Sequence, residues 1–205
     1  MDILSTRERT RISRAIARAE AKTSGEIVAV IAESSDDYLF IPLFWAALLA
    51  LFAPLPMFAL TAWPAVHIYA LQLAVFAAGS LAVQWRPLRV ALVPRAVKRA
   101  RAHARAMEQV LAQNLHTTKA RTGVLIFVSV AERFAEVIAD EGIYSKVPPG
   151  IWDEVVARLS ADIARGEVAG GFIEAVGQCG GVLAEHFPPG GGDANELPNH
   201  LIVLE

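Results

Sequence analysis

Cysteine is almost absent from this sequence: of 205 residues, only Cys179 carries a thiol. One cysteine excludes an internal disulfide and any zinc site built from cysteine pairs. There is no P-loop, no His-Glu-x-x-His, no Gly-x-Ser-x-Gly and no Cys-x-x-Cys. The usual signatures of phosphate-cradling loops, zinc proteolysis, serine hydrolysis and dithiol chemistry are therefore missing. His103, His116, His186 and His200 stand at no metal-ligand spacing and read as solvated or helix-end residues. Cys179, set among Val176, Gly180 and Leu183, reads as a buried thiol rather than a nucleophile. Met1–Lys22 is charged and lacks the apolar centre of an export signal.

Charge is missing altogether from Leu39–Trp85, which holds no Asp, Glu, Lys or Arg. One membrane-spanning helix needs about 20 mainly apolar residues, and this run is long enough for two. Thr61-Ala62-Trp63-Pro64 is the natural break, because Pro64 lacks a backbone donor and Trp63 suits a membrane interface. The spans are expected near Leu39–Leu60 and His67–Trp85. Pro54 and Pro56 kink the first span or end it early. The competing reading is a buried helical hairpin of a soluble protein. A helix apolar on every side must be covered all round or lie in lipid. The rest of the chain is short for covering two such helices and building its own core. His67 sits beside the break and reads as an interfacial residue.

The net charge of −2 is unevenly spread. Arg86, Arg89, Arg95, Lys98, Arg99, Arg101 and Arg105 follow the apolar run with no acid among them. Residues 121–205 carry thirteen acids against five bases. Two spans return the chain to its starting side, and bases flanking a span mark the cytoplasmic side. The expectation is a two-span membrane protein with a cytoplasmic soluble part. The basic segment faces anionic lipid head groups rather than nucleic acid.

The flanks alternate between helical and strand patterns. Ser5-Thr6-Arg7-Glu8 fits a capping box, and Ile12, Ala15, Ile16 and Ala19 mark a helix over Ser5–Lys22. Glu26–Glu33 and Gly123–Val130 read as strands buried on both faces. Phe134–Ala139 pairs with the second as a hairpin, and Asp140-Glu141-Gly142 is a turn. Between the spans and Gly123, a helix starts at Pro94 with Val97, Ala100, Ala104, Met107 and Leu111 as its apolar face. His116–Thr122 is a loop. After Pro148-Pro149-Gly150, a helix turns Ile151, Trp152, Val155, Val156, Leu159 and Ile163 inward. Gly166 and Gly170-Gly171 punctuate the chain before a last helix, Phe172–Phe187. Pro188–Asp193 reads as a flexible loop and Leu201–Leu204 as a short strand or docked tail. The fold class is α/β, a sandwich with a small mixed sheet. A two-helix transmembrane hairpin interrupts it. The segments are 1–38 and 86–205 for the split domain and 39–85 for the hairpin.

RTGVLIFVSVAERFAEVIADEG, ending at Gly142, resembles the TPM domain family of thylakoid-lumen phosphatase-like proteins. So do RISRAIARAEAKTSGEIVAVIAE and the Gly-rich step RGEVAGGFIEAV. The resemblance implies an α/β/α sandwich. It implies acid phosphatase activity in some members, divalent-cation binding in others, and assembly or repair of membrane complexes in several. The chain departs from the family in its internal hairpin and in having Asp140-Glu141-Gly142 where Gly-x-Gly is frequent.

The acidic residues at the strand ends are the candidate ligands, since hard cations take carboxylate, hydroxyl and carbonyl oxygens. With the first two long strands parallel and the third antiparallel, Asp140 and Glu141 emerge at the same pole as Thr23, Ser24, Glu26 and Thr122. Asp36, Asp37, Glu132 and Arg133 lie at the other pole. Asp140, Glu141 and Glu26 are the expected site for Ca2+ or Mg2+, with no organic cofactor; solvated surface acids are the alternative. The expected function is binding or assembly at the membrane, with the bilayer and a membrane protein complex as partners. Metal-assisted hydrolysis of phosphate esters is the alternative, and a structural tether a third reading.

Overall fold

A computed structural model describes residues 3–118, 120–148, 150–190 and 196–204. The chain divides into two compact units, one of residues 1–35 and 99–205 and the other of residues 36–98.

The first unit is built on a four-stranded mixed sheet. β1 (Glu26–Ala32), β2 (Gly123–Ser129), β3 (Phe134–Ala139) and β4 (Leu201–Leu204) lie in the order β3-β2-β1-β4. β1 is parallel to both β2 and β4, with Glu26 opposite Gly123 and Ala29 opposite Leu201. β3 is antiparallel to β2, with Val124 opposite Ala139. The two central strands are buried at every residue. Their alternation divides two cores, because successive side chains point to opposite faces. Ile27, Ala29 and Ile31 join Val124, Ile126 and Val128 on one face, whereas Val28 and Val30 join Leu125 and Phe127 on the other. This is why both strands read as continuous apolar runs.

Three helices cover the first face: α1 (Thr6–Glu20), α8 (Gly150–Ala164) and α9 (Val168–His186). The capping box at Ser5 forms, with the Glu8 carboxylate accepting from the Ser5 amide at 2.8 Å and the Ser5 hydroxyl accepting from the Glu8 amide at 3.3 Å. α1 and α9 approach closely at Gly180, where a Cβ would lie 2.6 Å from that of Ala19. α9 begins at Val168, not Phe172, so Gly170 and Gly171 are helical rather than punctuating. Gly171 serves the packing, since a Cβ there would lie 2.8 Å from that of Asp162.

The second face is covered by α6 (Arg95–Ala112) and a 3-10 turn, Leu115–Thr117, within the stretch expected to be a loop. The apolar face expected for α6 is not the one it buries. Ala102, Ala106 and Gln109 are buried, while Met107 and Leu111 are 42% and 62% exposed. Ala106 joins Leu125 and Phe127 in the core of this face. Asp140-Glu141-Gly142 is not a simple turn either. Asp140 caps a one-turn helix, α7 (Glu141–Tyr144). The loop expected at Pro188–Asp193 falls partly outside the described residues. Leu201–Leu204 is a strand.

The second unit is dominated by apolar helices. α2 (Phe40–Phe52) and α3 (Pro54–Leu60) run on as one apolar stretch, and α4 (Ala65–Ala82) follows the break at Thr61–Pro64. Ala46 of α2 meets Gly79 of α4, where a Cβ would lie 2.9 Å from that of Ala46. Small residues at such a crossing let two helix backbones approach closely. A short helix, α5 (Arg86–Ala91), then leads towards α6. The pattern of the sequence did not suggest α5.

Candidate functional site

The amino-terminal ends of β1 and β2 gather the acids that the sequence singled out. Glu26, Gly123 and Asp140 form one row across three strands: Glu26 pairs with Gly123, and the Asp140 amide donates to the Gly123 carbonyl at 2.9 Å. Two strand spacings separate Glu26 from Asp140, about 10 Å. The three expected ligands thus share an end of the sheet without meeting at one point.

Their local partners differ. Asp140 Oδ1 accepts from the Glu141 amide at 2.7 Å, while its Oδ2 is buried with no hydrogen-bond partner among the described residues. Glu141 is exposed and pairs with Arg121 at 3.1 Å. Glu26 is buried, and its Oε1 accepts from the Glu196 amide at 2.9 Å, holding the segment that leads into β4.

Sequence reasoning missed one acid near this row. Glu20, at the last turn of α1, turns its carboxylate onto the Ile27 amide, which donates to Oε1 at 2.8 Å. Burial pushes the Glu20 carboxyl up to about 7, and the negative charge of Glu26 adds to the rise. The chain doubles back between them through Thr23-Ser24-Gly25. Thr23 donates to the Phe187 carbonyl at 2.7 Å and accepts from the Gly25 amide at 3.0 Å. Thr122 donates to the Ser24 carbonyl at 3.3 Å. Two carboxylates and two buried hydroxyls therefore surround the start of β1. No group of three or more His, Cys, Asp or Glu among the described residues is placed to hold a metal ion.

The carboxyl-terminal ends of β1 and β2 carry a second polar cluster. Glu132 accepts from the Ser34 hydroxyl at 3.1 Å, from the Ser35 amide at 3.0 Å and from the Ser129 hydroxyl. Ser35 donates to the Ser129 oxygen at 2.8 Å. These bonds satisfy the carboxylate with protein donors and fix the β2–β3 turn against the end of β1.

Cys179 and His103 lie away from both clusters. Cys179 is fully buried in the core, and burial pushes its thiol up to about 12, as a structural cysteine requires. His103 Nδ1 lies 3.0 Å from both carboxylate oxygens of Glu136.

In the second unit, the two apolar stretches Phe40–Leu60 and Ala65–Ala82 are long and apolar enough to cross a membrane. Of the most apolar 18 residues of each, only 11% and 6% are buried. Phe40, Leu49, Phe58 and Tyr69 are all more than half exposed. At the open end of this hairpin, Arg89 donates from Nη1 to the Asp37 carbonyl at 3.0 Å and from Nη2 to the Gln84 carbonyl at 3.3 Å.

Comparison with known proteins places this geometry. The TPM domain model matches residues 86–182. Its span covers β2, β3, α8 and most of α9 and leaves out the central strand β1. The fold is similar to that of the BA42 protein from the psychrophilic bacterium Bizionia argentinensis, solved by NMR. The TM-score is 0.62 at 21% identity, over 98% of this chain and 94% of that one. At this identity the likeness concerns the fold alone. No curated protein matches the chain. Over residues 86–182 the chain is similar to the TPM domain family, and its fold is similar to that of the BA42 protein.

Proposed function

We propose that this is a membrane-anchored TPM domain protein whose α/β part lies on the cytoplasmic side and binds, or helps to assemble, a protein complex at the membrane. The observation that carries the reading is that two helices apolar all round have few buried residues. In water such a surface drives aggregation, whereas in a bilayer it is the required surface. Arg86, Arg89, Arg95 and Lys98 at the open end, against an uncharged tip at Thr61–Pro64, support the orientation. The test is extraction of membranes with alkaline carbonate, followed by labelling of intact cells. The protein should stay with the membrane. An impermeant thiol reagent should label Ala62→Cys and not Glu154→Cys, because the native Cys179 is buried and silent. Release into the soluble fraction would end the anchoring reading, and labelling at Glu154→Cys would reverse the orientation.

A second reading concerns Ca2+ or Mg2+ at the amino-terminal end of the sheet. The juxtaposition of Glu20 and Glu26 supports it, as does the unpartnered Oδ2 of Asp140. A hard cation relieves repulsion between close carboxylates. Of the expected ligands, Glu141 contributes least, because Arg121 already neutralises it. A cation bound only by the folded state stabilises it by about 2.7 kcal/mol at a hundredfold excess over Kd. Millimolar Ca2+ or Mg2+ should raise the melting temperature, and Glu20→Gln with Glu26→Gln should remove the rise. If Asp140→Asn alone removes it, the ion sits at Asp140. The same preparation tests phosphate-ester hydrolysis, in which a bound cation would activate water. Phosphate release that these variants leave unchanged would place any hydrolysis elsewhere.

A further inference from the structure

The open end of the hairpin gathers more bases than acids beside an apolar surface. The unit of residues 36–98 opens with Asp36 and Asp37 and has no other acid, while Arg86, Arg89, Arg95 and Lys98 all fall in its last part, so bases outnumber acids four to two. They belong to one compact unit with the apolar helices. The path of the chain keeps them together. α4 ends at Ala82, and Trp85 follows with 67% of its surface exposed. α5 starts at Arg86. Arg89 folds back onto the Asp37 and Gln84 carbonyls, which fixes α5 across the two ends of the hairpin. Val93 is buried, and Lys98 Nζ reaches back to the Val90 carbonyl at 3.3 Å. The first turn of α6 is thereby held against α5. Arg86 and Arg95 are exposed.

We propose that this end of the unit, with Arg86, Arg95 and Lys98 around α5 and Trp85 beside them, is a binding surface for the phosphate head groups of anionic phospholipids. This rests on the membrane-anchored reading and adds a lipid preference to it. Each part of the arrangement has a physical reason. An indole at the end of an apolar helix sits at head-group level, with its ring apolar and its N–H wet. Bases near that level meet the negative surface of the bilayer where screening is weak, because the Debye length is about 8 Å at physiological salt. Guanidinium groups offer forked donors to phosphate oxygens. A duplex nucleic acid would also attract these bases, but the exposed apolar helices beside them would face it with nothing to bury.

The test uses the full-length protein purified in a neutral detergent. Native mass spectrometry reads the binding of phosphatidylglycerol and of phosphatidylcholine with the same acyl chains. Phosphatidylglycerol should bind at least roughly tenfold more tightly, as a surface with several bases near anionic lipid requires. Arg86→Gln, Arg95→Gln and Lys98→Gln together should bring the two lipids level. Arg7→Gln, Arg11→Gln and Arg14→Gln on α1 remove the same charge from exposed positions elsewhere and should leave the preference intact. Millimolar inorganic phosphate should not displace the lipid. Equal affinity for the two lipids overturns the proposal, as does an equal loss in both triple variants. Displacement of phosphatidylglycerol by inorganic phosphate or by a short DNA duplex overturns it as well. If the first triple variant does not fold, Arg86→Gln with Arg95→Gln carries the same comparison. Resistance to carbonate without a lipid preference would sink this proposal alone. Release by carbonate with the preference kept would sink the anchoring reading alone.

Discussion

Arg89 Nη1 lies 3.0 Å from the Asp37 carbonyl oxygen, so one guanidinium joins the residue before the apolar hairpin to the segment after it. Its second nitrogen bonds the Gln84 carbonyl. The fork geometry matters, since two carbonyls from different parts of the chain are held by one planar group. Arg89→Ala should destabilise the protein in detergent by about 1 kcal/mol, a modest figure because the group is partly exposed. Arg89→Lys should lose nearly as much, because an ammonium on a flexible stem does not reproduce the fork. A melt of the lysine variant that matches the parent would show that charge alone matters.

The same contact predicts that the hairpin is removable. Its two ends lie within the reach of a single side chain. Replacing Leu39–Trp85 with a short Gly/Ser linker should therefore leave Asp37 and Arg86 able to keep their places. The strands on either side, β1 and β2, pair directly along their whole length. The expected product is soluble, monomeric and cooperatively folded by circular dichroism and size-exclusion chromatography. A molten or aggregated product at neutral pH would mean that the apolar helices are part of the folding unit.

Glu20 makes a prediction about pH. Its carboxyl is raised from 4.5 to about 7, chiefly by burial and then by the charge of Glu26. Between these values the folded state binds more protons than the unfolded state. Stability from this group is therefore full below about pH 4.5, falls as pH rises, and levels off above about 7. Partial exposure holds the effect to about 1–2 kcal/mol. Glu20→Gln keeps an oxygen for the Ile27 amide and removes the ionisation. The difference in unfolding free energy between variant and parent should grow across that window in favour of the variant. A constant difference from pH 4.5 to 8 would show that Glu20 does not titrate there.

Legibility in the sequence followed the range of the interactions. β1, β2 and β3 could be read because each is a short apolar or alternating run, and β3 was read at its observed bounds. The parallel and antiparallel pairing followed from where the intervening segments had to cross. α6 was misread because its Arg- and Ala-rich turns offer two faces. Large side chains marked the wrong one; the face buried in the fold is that of Ala102, Ala106 and Gln109. Glu20 was not legible at all. In sequence it is one more acid at the end of a helix. Its proximity to Glu26 and the Ile27 amide exists only after Thr23-Ser24-Gly25 reverses the chain. Glu141 is the opposite case: an acid legible at a strand end, whose pairing with Arg121 exists only in the fold.

Gly142 combines both lessons. It lies in the stretch read as a turn, but Gly166 is the one described glycine with a positive φ, so Gly142 is not held in the left-handed region. What it supplies is space. A Cβ at Gly142 would lie 2.5 Å from the Arg121 carbonyl oxygen and 2.7 Å from that of Ala120. Both are backbone atoms, so no side chain can rotate away. The chain before β2 has little freedom to retreat, because Arg121 is itself at a positive φ of 50° and Thr122 is buried. Gly142→Ala should therefore cost about 1–3 kcal/mol, the usual penalty for forcing an extra carbon into a filled site. It should also loosen Asp140 and Glu141 next to it, and with them the amino-terminal end of the sheet. Urea unfolding of the parent and the variant measures the first effect. Amide hydrogen exchange at Gly123 and Asp140 measures the second. A variant with unchanged stability and protection would show that the backbone at Ala120 and Arg121 yields easily, and that the close approach does not hold this end of the domain in place.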